Sequence, residues 1–234
     1  TTNRKLPRRR HANFIYNRLI NPMKHIIIKW MGGEGGDIIF GLLGYCLAGF
    51  NEWNISKNGS AHNSHVDFSY KNYHFSKSHL LWSKEEKHLK NVTDKFVFLL
   101  KPTDIPCFVK KKISKLYLNP KILPDQEIPP KPLGRKFLKA LHDNDQKLAY
   151  YYGFKTIKTI YNGYEEHAEH FLSQIPHQKI YTNLLTVDEV LSVLKQIEEN
   201  IDLPINVNDQ ALNWIEYYVE KQQQYVADWP HLDH

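Results

Sequence analysis

The pattern of apolar and polar positions is sharpest near the start of the chain. His25-Ile26-Ile27-Ile28-Lys29-Trp30 is an almost continuous β-branched run, the signature of a strand buried on both faces. It runs into Gly32-Gly33-Glu34-Gly35-Gly36, after which Ile38, Ile39, Leu42, Leu43, Cys46 and Leu47 recur at helical spacing. Asp37 is the expected N-cap of that helix. Strand, glycine turn and helix form the first half of a βαβ unit, which predicts a parallel sheet flanked by helices.

Further along, Phe96-Val97-Phe98-Leu99-Leu100 reads as a second buried strand, and Lys101-Pro102-Thr103-Asp104 as a turn into a short helix over 105–114. A third strand is predicted over 115–118. Residues 51–95 are polar and rich in histidine and aromatic residues, with a short strand expected over 66–70 and a helix near 84–90. The stretch 119–132 carries five prolines and reads as a loop. Helical spacing returns over 135–152 and 157–173, then a strand over 177–182. Thr186 and Glu189 form a capping box that opens a helix reaching about residue 200. Pro204 separates it from a last helix over 208–225, with Leu212, Ile215, Tyr218 and Val219 on its apolar side.

Length and composition narrow the class. With 234 residues, 41% of them hydrophobic, the chain can bury a substantial core, and a single domain over 23–234 is expected after an arm of residues 1–22. The longest apolar run, residues 38–50, falls short of the ~18 residues a membrane-spanning helix needs. No signal peptide is evident and the two cysteines, Cys46 and Cys107, form no metal or disulfide pattern, so a reducing, cytoplasmic setting is expected. Arg4, Lys5, Arg8, Arg9, Arg10 and Arg18 fall in the arm; removing these six from 31 leaves 25 basic against 25 acidic residues, so the body is neutral. Such an arm either grips phosphates, nucleic acid included, through Arg8, Arg9 and Arg10, or is a tail without a ligand.

Successive glycines allow positive φ and let backbone N–H groups converge on an anion, aided by the helix N-terminus behind them. Equally, the glycines can serve only a tight strand-to-helix turn. The Walker A lysine and Ser/Thr are absent, Asp37 and Ile38 standing in their places, which disfavours an ordinary ATPase or GTPase. Lys29 precedes the turn and Lys101 follows the second buried strand, at the edge where open α/β sheets bind ligands.

Assembled in this order, the elements of residues 24–226 resemble those of P-loop sulfotransferases, in particular short divergent forms from bacteria and phages. The resemblance implies a P-loop nucleotide-binding-like, three-layer α/β fold and transfer of a sulfuryl group from 3′-phosphoadenosine 5′-phosphosulfate to a hydroxyl or amine acceptor. It further implies that Lys29, Gly32, Gly33, Gly35, Gly36 and Asp37 hold the donor's phosphosulfate and that Lys101 meets its 3′-phosphate. The family's chemistry needs a base near neutral pKa, for which His62 and His65 are the candidates. Those histidines with Asp67, His74 and His79 match no closed zinc motif, so no metal is expected. His167 and His170, beside Glu165, Glu166 and Glu169, read as a solvated helix face. Two other functions stay open: another nucleotide- or sugar-nucleotide-dependent transferase, or a non-catalytic binding protein using the basic arm.

Overall fold

A computed structural model describes residues 23–30, 35–50, 67–78, 94–118 and 133–227. They form, in chain order, β1 (Lys24–Lys29), α1 (Gly36–Ala48), β2 (Phe68–Tyr70), β3 (Tyr73–Ser78), β4 (Lys95–Lys101), α2 (Ile105–Leu118), α3 (Leu133–His142), α4 (Gln146–Leu172), β5 (His177–Tyr181), α5 (Val187–Ile201) and α6 (Asp209–Ala227).

The sheet has the order β2-β3-β1-β4-β5. β1 lies between β3 and β4 and is parallel to both, β5 is parallel to β4, and only β2 runs antiparallel, in a hairpin with β3. Alternation along the strands divides the core. Ile26, Ile28, Trp30, Phe75, Phe98, Leu100 and Ile180 pack with α1, α5 and α6. Ile27, Val97 and Leu99 face the other way and pack with α2, α3 and α4. The result is α/β: a mostly parallel sheet flanked by helices on both faces. None of the described helices is long and apolar enough to cross a membrane.

Three expectations are corrected. Residues 115–118 continue α2 and form no strand, because β5 occupies the outer edge of β4 that a further strand would need. The two helices expected over 135–152 and 157–173 break elsewhere, at 143–145, where Asp145 accepts a hydrogen bond from Leu148 N (2.9 Å) and caps α4. Gly153 lies unbroken inside α4, and its missing side chain lets the helix close on its neighbours: a Cβ there would come within 2.6 Å of Ile113 Cδ1 and 2.8 Å of Phe137 Cε2. Finally, the helix cap of α1 is Gly35, not Asp37. The helix predicted near 84–90 falls outside the described residues, while the capping box of Thr186 and Glu189 is present in full.

β3 was not anticipated, since its sequence YHFSKS buries only Phe75 and Ser78 fully. Its place beside β1 brings His74 opposite His25, with ring centroids 4.9 Å apart. Burial and the neighbouring His74 lower the His25 pKa, against weaker opposition from Asp94 and Asp67. The unfolded chain therefore binds this proton more tightly than the folded one, so the stabilisation is whole above pH 6.5 and is lost as pH falls through and below that value. Urea titrations between pH 5 and 8 should show a shallower acid-side loss in His25→Gln; equal slopes would remove His25 as the cause.

Candidate functional site

The chain leaves β1 toward β3 on one side and leaves β4 toward β5 on the other. The crevice outside the C-terminal ends of β1 and β4 is thus the switch point of the sheet, where open α/β folds place ligands. Lys29 and Lys101 end the two strands there, and Gly35, Gly36 and Asp37 open the helix that follows β1.

Gly35 opens α1 in the left-handed conformation at φ 84, has no side chain with which to cap it, and accepts from Ile38 N through its carbonyl at 3.1 Å. Among the described residues no side chain accepts from the amides of Gly36 and Asp37, the groups a helix start leaves without an intrahelical partner. Trp30 fixes the angle at which the helix starts, its indole lying where a Cβ on Gly36 would have to go. Asp37, in the first turn, accepts a hydrogen bond from Lys77 Nζ at 2.7 Å, and the same ammonium lies 6.0 Å from the Trp30 ring centroid and 5.8 Å from that of Phe40.

Lys29 and Lys101 extend from the opposite face of the sheet to Trp30, since their neighbours Ile27 and Leu99 pack with α2 to α4. Lys29 is 0% exposed and donates to Ser78 Oγ at 3.0 Å. Lys101, the last residue of β4, is 7% exposed, forms an ion pair with Glu165 of α4 and lies 5.5 Å from the Tyr181 ring centroid. It is therefore no solvated surface lysine. The acidic face of α4 is likewise not merely solvated: Glu165 holds Lys101, and Glu169 pairs with Lys179, whose hydrogen bond holds that carboxyl below its usual range.

Beyond β5 the turn at Thr182 and Asn183 closes the edge. Asn183 Oδ1 accepts from the backbone N–H groups of Thr103 and Asp104, each at 3.1 Å, and the Asn183 carbonyl accepts from Lys111 Nζ at 3.0 Å. Pro102, Cys107, Phe108, Lys111, Thr182 and Asn183 line a shallow depression there. Both cysteines are free, and burial raises their pKa, that of Cys46 to about 11, so neither is poised as a thiolate nucleophile.

Gly32, Gly33, His62, His65 and the arm with Arg8, Arg9 and Arg10 lie outside the described residues. Of the remaining histidine-rich set, His79 also lies outside the described residues, and His74 Nδ1 shares a hydrogen bond with Ser69 Oγ at 3.1 Å and stands 3.9 Å from Asp67, at the far end of β3 from the crevice. Sequence reasoning missed Lys77, Lys111, Asn183 and the partnership of Glu165 with Lys101. Each depends on a contact distant in sequence, and none had a local motif to mark it.

No protein-family model, curated protein or solved structure matches this chain. The geometry of the crevice accordingly carries the functional reading.

Proposed function

We propose that the chain is a group transferase whose donor is a phosphorylated nucleotide and, in the finer form, a sulfotransferase using 3′-phosphoadenosine 5′-phosphosulfate. One observation carries the reading: at the switch point the N-terminus of α1, opened by a left-handed glycine, stands on one face of the sheet, and two buried lysines end β1 and β4 on the other. Amides at a helix start and buried ammonium groups both favour an anion of several oxygens. In this reading the donor's 5′-phosphosulfate faces α1, and its 3′-phosphate approaches Lys101. The acceptor's proton passes to a base, for which His62 and His65 are the sequence candidates.

Lys101 already holds Glu165, so a 3′-phosphate has to take the ammonium from that carboxylate. That engagement favours a second reading, a transferase whose nucleotide lacks a 3′-phosphate and leaves the pair intact. Calorimetric titration with adenosine 3′,5′-bisphosphate, ATP, UDP and inorganic phosphate separates the two. The sulfotransferase form expects selective binding of the bisphosphate, about tenfold weaker in Lys101→Met and a few-fold tighter in Glu165→Gln, where the ammonium is released. Unchanged affinity in both variants would remove the 3′-phosphate assignment and leave the broader transferase reading. Absence of any nucleotide binding by the native chain would sink both.

A further inference from the structure

The last helix delivers to the crevice a side chain that the preceding reading does not use. Tyr218, on the buried face of α6, is 1% exposed. Its hydroxyl lies against Gly35, so close that a Cβ there would collide with it, and Leu184 Cδ1 lies 2.8 Å from the same Cβ position. The hydroxyl has no hydrogen-bond partner among the described residues. Burying it in that state is costly, because water satisfied it in the unfolded chain.

At the helix start beside it, Ile38 N donates to the Gly35 carbonyl, while among the described residues no side chain caps the amides of Gly36 and Asp37. Asp37, the acidic side chain of that first turn, is already engaged by Lys77. Burial, with the Asp37 carboxylate nearby, raises the Tyr218 pKa far above its ordinary value, so the phenol keeps its proton and is available as a donor. Amides without a side-chain cap and a hydroxyl without a hydrogen-bond partner, both among the described residues, thus meet at Gly35. A group that only accepts, and carries several lone pairs, satisfies both at once, and an oxyanion is such a group.

We propose that Tyr218 is a ligand-binding residue of the crevice, donating its hydroxyl proton to an oxygen of the phosphate or phosphosulfate group held at the N-terminus of α1. The inference rests on the donor site described under the proposed function and assigns its 5′ end. It explains why Gly35 must be glycine on two counts, backbone conformation and room for this hydroxyl.

The test compares the full chain with Tyr218→Phe, titrating adenosine 3′,5′-bisphosphate and adenosine 3′-monophosphate, which lacks the 5′ group. Without nucleotide, Tyr218→Phe should melt at the same temperature or higher, because the ring is kept and an unsatisfied hydroxyl is removed. Affinity for the bisphosphate should fall about ten- to a hundredfold, the usual range for a hydrogen bond to a charged group, while affinity for the monophosphate stays unchanged. A lower melting temperature without nucleotide would overturn the inference by showing the hydroxyl already satisfied. Equal bisphosphate affinity in the two proteins, or equal weakening of both nucleotides, would overturn it and leave the transferase reading standing. If the native chain binds neither nucleotide, the donor site itself fails and Tyr218 loses its role with it.

Discussion

Gly36→Ala is expected to destabilise the fold by about 3 kcal/mol, the upper part of the usual range for overpacking a buried contact. The new methyl group would enter the Trp30 indole at Cγ, Cδ2 and Cε3. These are the anchored atoms of a ring that is 2% exposed and cannot turn aside. The alternative relief is to lift α1 from the sheet, which would loosen Ile38, Ile39 and Leu42, all of them fully buried. Gly49 provides the comparison. It closes α1 at φ 69, and a methyl group added there would meet nothing within 4 Å, so Gly49→Ala should cost only the left-handed strain of about 1–2 kcal/mol. Urea unfolding of the three proteins measures both; a Gly36→Ala loss no larger than that of Gly49→Ala would mean that the indole does not hold the helix start.

The parts of the candidate site that were legible in the sequence are those written in local pattern. Ile26, Ile27 and Ile28 announce β1, and the glycines with the apolar spacing after them announce α1, because a buried parallel strand and a close-packed helix each need particular residue types in succession. Lys29 and Lys101 were visible because each borders a buried strand. Tyr218 was not, for at its spacing on α6 a tyrosine reads as one more apolar position, and only the approach of its hydroxyl to Gly35 sets it apart. Glu165 and Lys77 were hidden for a related reason. A carboxylate on an acidic helix face and a lysine in a polar strand look solvated until Lys101 and Asp37 are found beside them. The cap of α1 was misread at Asp37 because aspartate is a common capping residue, yet here the left-handed backbone of Gly35 starts the helix and frees Asp37 to hold Lys77.

The same junction makes Trp30 the side chain with the largest expected single effect. Trp30→Ala should cost about 4 kcal/mol, since truncating a buried tryptophan leaves a cavity that its surroundings fill only in part. In this case the cavity opens between β1 and the start of α1, where Gly36 rests on the indole and Lys77 approaches its ring. In the proposed donor site a helix start that has lost its support presents its amides less accurately, so any bisphosphate affinity should fall as well. The decisive measurement is the double variant. In the Trp30→Ala background the methyl group of Gly36→Ala meets no ring, and alanine is the better helix former, so the second substitution should become neutral or stabilising. That is a coupling of about 3 kcal/mol between the two positions, the whole overpacking cost of Gly36→Ala alone. Additive losses would place the cost of Gly36→Ala in the backbone of the turn and not in the indole, and the support of the proposed anion site would then have to be sought on the Tyr218 side of Gly35.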